Sequence, residues 1–176
     1  MSKPPFVWEL SSGKVVSHAI GSPHGLMMYA KQYTRDIVHF LDGKQLVLVE
    51  ELINPGDTID AITVDIATER GFPIKEIASN IERRFFSRYA ECLDHTAIEP
   101  YQKGDEEAMK KLYEKIRIVP PHECNSNMVD RSLQHLRKTP SLIVINLAHL
   151  IVEPSMLTMY GQKGITVKRV DSSNTH

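Results

Sequence analysis

Short apolar runs stand at both ends of the chain, and helically spaced apolar positions fill the stretch between them. Phe6 to Leu10 reads as a strand, Ser11-Ser12-Gly13 as a turn, and Lys14 to Ile20 as a second, valine-rich strand, which together form a hairpin. Gly21-Ser22-Pro23-His24-Gly25 then breaks the pattern. From about Leu26 to Leu41, Met27, Ala30, Tyr33, Ile37, Phe40 and Leu41 recur as a helix stripe, which Asp42-Gly43 ends. Leu46-Val47-Leu48-Val49 is an unbroken apolar run, the signature of a strand covered on both faces, and Glu50 and Glu51 follow at once.

The spacing from 55 to 138 predicts a mainly helical middle. Asp57 caps a helix with Ile59, Ile62 and Ile66 inward and Gly71 as its stop. Pro73 opens another, with Ile74, Ile77, Ile81 and Phe85 on its buried stripe. Asp105 caps a third, with Met109, Leu112 and Ile116 inward, and Asn127 a fourth, with Leu133 and Leu136 inward and Pro140 as the stop. Leu142 to Ile145 is again an apolar strand. Asn146-Leu147-Ala148-His149 follows, then a short helix from about Glu153 to Gln162 ended by Gly161 or Gly164, and a closing strand from Ile165 to Val170. Both ends thus repeat strand, histidine, helix and strand. The fold class expected is α/β: one domain over 1–176, with a small, mostly parallel sheet of right-handed crossover units, an N-terminal hairpin and flanking helices.

Ligands of open parallel sheets bind at the carboxyl ends of the strands. His24 stands four residues after Ile20, Glu50 directly after Val49, and His149 four residues after Ile145, so one sheet edge gathers all three. Two imidazoles and a carboxylate suit a divalent metal, and an open coordination position would let that metal acidify a water. Glu51 is a second acid, but adjacent strand residues point to opposite faces, which favours Glu50. Gly21 and Gly25 permit tight backbone geometry around His24. Against this stands the ordinary reading of a histidine after a strand as a loop or packing residue; the matched placement of the two is what packing does not require.

Composition adds little and excludes more. The 176 residues are 41% hydrophobic and 24% charged, with a net charge of -1, so no basic field points to nucleic acid. Cys92 and Cys124 form no close pair, which fits a reducing compartment. No basic-then-apolar leader opens the chain and no run reaches the length of a membrane span, so a cytoplasmic location is expected. H-E-x-x-H, G-x-S-x-G, P-loop and G-x-G-x-x-G motifs are all missing. Arg83, Arg84 and Arg88 among Phe85, Phe86 and Tyr89 offer anion or single-strand contacts, although an amphipathic helix explains them as well. His122-Glu123-Cys124 after Pro120-Pro121 reads as a loop, and Arg131 and Arg137 as a solvated face or anion contacts.

The stretch Val7-Trp8-Glu9-Leu10, Gly21-Ser22-Pro23-His24, and Leu46-Val47-Leu48-Val49-Glu50 resembles the opening of TraB/GumN proteins, of the TIKI and ChaN-like superfamily. Asn146-Leu147-Ala148-His149-Leu150, followed by Gly164 and Thr166 to Val170, resembles that family's second G-x-x-H-L motif, and Arg131 a family arginine ahead of it. The resemblance covers both ends of the chain and their order. It implies an α/β fold and a metal-dependent hydrolase with a peptide substrate, His24 and His149 as metal or catalytic residues and Glu50 as ligand or base. The implied cofactor is a divalent metal such as manganese, cobalt or zinc. Asn146 departs from the family glycine, which leaves a second expectation open: a degenerate module that sequesters a peptide or an iron or heme-type ligand.

Overall fold

A computed structural model describes residues 4–23, 31–52, 58–86, 93 and 95–170, with the side chains of 84–86 left out. Six strands form one sheet: β1 (Val7–Ser12), β2 (Val15–Ser22), β3 (Leu46–Val49), β4 (Ile74–Glu76), β5 (Ser141–Asn146) and β6 (Thr166–Arg169). Their order is β4-β3-β5-β2-β1-β6. β2, β5, β3 and β4 are parallel neighbours, whereas β1 pairs antiparallel with both β2 and β6. The fold is therefore α/β with an N-terminal hairpin, and β1 alone runs against the other five strands.

β5 is the middle of the parallel group. Every residue from Ser141 to Asn146 is buried, as are Leu46 to Val49 of β3. A strand with parallel partners on both sides and helices over its faces has no wet side, which is why both read as unbroken apolar runs. The fully buried Leu142, Ile143, Val144 and Ile145 each contribute about 1.5–3 kcal/mol relative to exposure. The edges are different. β4 is three residues long and β6 alternates exposed and half-buried positions, as expected of edge strands.

Eight helices connect and cover the sheet among the described residues: α1 (Thr34–Leu41), α2 (Ile59–Glu69), α3 (Asn80–Phe86), α4 (Ile98–Lys103), α5 (Glu106–Lys115), α6 (His122–Leu136), α7 (Leu147–Ile151) and α8 (Met156–Gln162). α2 packs on β3, β4 and β5, and α6 on β1 and β2. α6 buries Asn125, Met128, Val129, Ser132, Leu133 and Leu136, one stripe at helical spacing. No helix among the described residues is long and apolar enough to cross a membrane.

Several local expectations shift. Asp105 does cap α5, accepting from the Ala108 amide at 3.0 Å. The cap of α2 is Thr58, whose hydroxyl accepts from the Ala61 amide at 3.1 Å, while Asp57 lies outside the described residues. The helix expected from Pro73 is instead the strand β4, followed by α3 from Asn80. Ile77 is buried as foreseen, but Ile81 is 81% exposed. A parallel pairing with β3, from Val47 opposite Ile74 to Val49 opposite Glu76, outweighs the helical spacing of those isoleucines. α6 begins at His122 rather than near Asn127, so His122-Glu123-Cys124 forms its first turn and not a loop. Pro121 sits at its N-cap, where a missing amide hydrogen costs nothing.

Candidate functional site

Because β2, β5 and β3 are parallel neighbours, their carboxyl ends share one edge. The register sets Ser22 opposite Asn146 and Val49 opposite Val144. Glu50 leaves β3 at that edge. Asn146 ends β5, and α7 starts on the next residue, carrying His149 in its first turn. Sequence left His149 between the strand and a helix from about Glu153; it stands on a short helix of its own.

Glu50 is 4% exposed and His149 fully buried. The Glu50 Oε2 accepts from the Asn146 amide at 3.1 Å, and its Oε1 lies 3.7 Å from His149 Nε2. That separation is too long for a hydrogen bond. Two donors each about 2.1 Å from one metal at a tetrahedral angle lie about 3.4 Å apart, somewhat closer than this pair. The Asn146 side chain accepts from the Ala148 amide at 3.0 Å and so caps α7. Its φ of -53° shows that the glycine of the resembled motif is not needed here for a left-handed turn.

The other ring nitrogen of His149 is held from α6. Its Nδ1 lies 2.5 Å from the Asn125 Oδ1, and the Asn125 Nδ2 donates to the Pro154 carbonyl at 2.7 Å. Asn125 is fully buried. Sequence reasoning passed over it, although one signal was present: a polar residue on the apolar stripe of an otherwise amphipathic helix.

Gly21 belongs to this edge through packing. A Cβ there would stand 2.5 Å from Leu147 Cδ1 and 3.4 Å from Phe6 Cβ, so the lack of a side chain lets α7 settle against β2. Its carbonyl accepts from the buried Tyr101 hydroxyl at 2.8 Å. His24 and Gly25 lie outside the described residues.

Glu51 does not join the cluster. Its carboxylate is 3.9 Å from Arg83, which donates to Glu76 Oε2 at 2.6 Å, and Glu76 Oε1 accepts from the Leu52 amide at 2.8 Å. Arg83 is thus engaged within the protein, while the Arg84 side chain and Arg88 lie outside the described residues. Arg131, partly open to water, is engaged within the protein rather than left as an open anion contact. It donates to both oxygens of Glu82, at 2.7 and 3.1 Å, and to the Ile77 carbonyl at 2.5 Å. Arg137 donates to the Lys163 carbonyl at 3.1 Å.

Glu82 is 2% exposed and was also passed over. It forms a capping box with Ser79: its Oε2 accepts from the Ser79 amide at 2.5 Å, and its amide donates to Ser79 Oγ at 3.4 Å. The pattern S-x-x-E at 79–82 is a known helix-start signal. Burial pushes the Glu82 carboxyl up; the Arg131 and Ser79 hydrogen bonds and the Arg131 charge outweigh it and hold the carboxyl below its ordinary value. Nearby Cys124 is a free thiol pushed up by burial and by Glu82 and Glu123, against the pull of Arg131, so it is a poor nucleophile. Among the described residues no set of three or more histidine, cysteine, aspartate or glutamate side chains is gathered as for a metal; the pair is Glu50 and His149.

No family model, curated protein or solved structure matches the chain.

Proposed function

We propose that the chain is a metal-dependent hydrolase acting on peptides, with His149, Glu50 and His24 as ligands of a divalent metal such as manganese, cobalt or zinc. The observation that carries this reading is the 3.7 Å approach of Glu50 Oε1 to His149 Nε2 at the carboxyl edge of the parallel strands. The donor chemistry fits: one imidazole nitrogen and one carboxylate oxygen, each steadied by a hydrogen bond on its far side from Asn125 or the Asn146 amide. The resemblance of the two histidine motifs to TraB/GumN proteins supplies His24 as the third donor. When bound, the metal would polarise a substrate carbonyl and lower the pKa of a water. Glu50 would hold negative charge beside it, and the surrounding burial would strengthen that interaction by excluding bulk solvent.

The test is metal content and peptide hydrolysis after dialysis against manganese, cobalt or zinc. The expected result is about one metal per chain, lost in His24→Ala, His149→Ala and Glu50→Gln together with hydrolysis. A parent protein that takes up none of the three metals, or variants that keep the full complement, would overturn the proposal.

One observation favours a second reading, a binding module without turnover. The Asn146 side chain occupies the start of α7 where the resembled motif leaves bare backbone. Stoichiometric binding of a peptide or of an iron or heme-type ligand, with no hydrolysis under any of the three metals, is its expected signature.

A further inference from the structure

We infer that Asn125 is a positioning residue that fixes His149 as its Nδ1–H tautomer and turns the Nε2 lone pair toward Glu50. The inference deepens the proposed metal site and rests on it only for the consequence, not for the tautomer itself.

Pro154 fixes the orientation of the Asn125 amide. Its carbonyl oxygen can only accept, and a side-chain nitrogen or oxygen of Asn125 lies 2.7 Å away. If the amide were reversed, two acceptor oxygens would stand in contact at that distance inside a dry site. The Asn125 NH2 group therefore faces Pro154, and its Oδ1 faces His149 Nδ1 at 2.5 Å. An oxygen acceptor there requires a hydrogen on Nδ1. In a neutral imidazole Nε2 then carries the lone pair.

The three groups come from distant parts of the chain. Asn125 lies on the buried stripe of α6, His149 on α7 and Pro154 between α7 and α8. The sheet edge thus gains a relay in which a backbone carbonyl orients an amide, the amide orients an imidazole, and the imidazole presents one nitrogen. A neutral asparagine does this without burying a further carboxylate, as an aspartate would. Outer partners of this kind are worth about 10–100-fold in metal affinity.

Nitrogen-15 NMR of histidine-labelled, metal-free protein at neutral pH reads the tautomer directly. The expected spectrum shows His149 as the Nδ1–H form. Asn125→Leu removes the acceptor, and the expected result is a shift of His149 toward the Nε2–H form with about 10–100-fold weaker zinc binding. Asn125→Gln keeps both an acceptor for His149 and a donor for Pro154, and its expected return of the Nδ1–H form separates positioning from packing and guards against a leucine variant that fails to fold. An Nε2–H tautomer in the parent protein, or an unchanged tautomer in folded Asn125→Leu, overturns the inference. Zinc titration of the parent distinguishes the two levels: a fixed Nδ1–H tautomer without zinc uptake refutes the metal site and leaves the role of Asn125 standing.

Discussion

Gly21→Ala is the sharpest probe of how the edge is assembled. No left-handed backbone is at stake, since Gly21 is not among the residues with positive φ. Alanine would even stiffen the unfolded chain, which by itself stabilises by about 0.4–1 kcal/mol. The opposing effect is contact. The new Cβ would lie 2.5 Å from Leu147 Cδ1, against a normal carbon separation of about 3.5–4.0 Å. Leu147 is fully buried, and its own Cβ is 3.4 Å from the same point, so the side chain has little room to swing aside. Overpacking of this kind costs about 1–3 kcal/mol, and the net loss expected is about 1–2 kcal/mol. For a chain of this size that lowers Tm by about 2–8 °C. Urea unfolding of Gly21→Ala, Leu147→Ala and the double variant provides the assay. Leu147→Ala alone should cost about 2–5 kcal/mol. With the methyl groups gone, Gly21→Ala should then cost almost nothing, a coupling of about 1 kcal/mol or more. A Gly21→Ala protein as stable as its parent, or two losses that add to within about 0.5 kcal/mol, would refute the close approach of α7 to β2.

Arg131→Leu should destabilise by about 1–3 kcal/mol in urea, less than a fully buried pair because the Arg131 side chain is 37% exposed to water. Glu82→Gln in the same background should recover part of the loss by removing the stranded charge. The depressed Glu82 carboxyl makes a pH prediction with a definite sign. Its stabilising contribution is present above the unfolded carboxyl pKa and fades as pH falls through the lower folded value, so Arg131→Leu should flatten that acid limb of the stability profile. His18 acts over a neighbouring range. Burial first, then Lys44 and His39 against the opposing pull of Glu9, lower its pKa to about 4. The unfolded chain then binds a proton that the folded chain refuses, so stability should fall between about pH 6.5 and pH 4. His18→Gln should remove that slope, and an unchanged slope would contradict the assignment.

The parallel strands were legible because β3 and β5 have no wet side, and their apolar runs survive in any reading of the chain. Glu50 and His149 were legible as an edge pair because strand ends fix where the next residues go. Glu50 was separated from Glu51 by strand alternation alone, and the structure sends Glu51 to Arg83. The failures lie where tertiary contact decides. Ile74, Ile77 and Ile81 carry a helical period, yet β4 forms by docking on β3, an interaction that no local window contains. Pro120 and Pro121 looked like a loop, yet proline is at home at a helix start. Asn125 had no motif, since its role exists only when α6 meets α7. Glu82 had one, the capping box with Ser79, but its pairing with Arg131 spans 49 residues.

Whether Glu50 and His149 share one metal ion, as proposed, is read from anomalous X-ray diffraction of crystals grown with zinc or manganese. A single anomalous peak is expected within about 2.0–2.2 Å of both His149 Nε2 and a Glu50 carboxylate oxygen. A peak bound elsewhere, or none at that edge in zinc-saturated crystals, would contradict it.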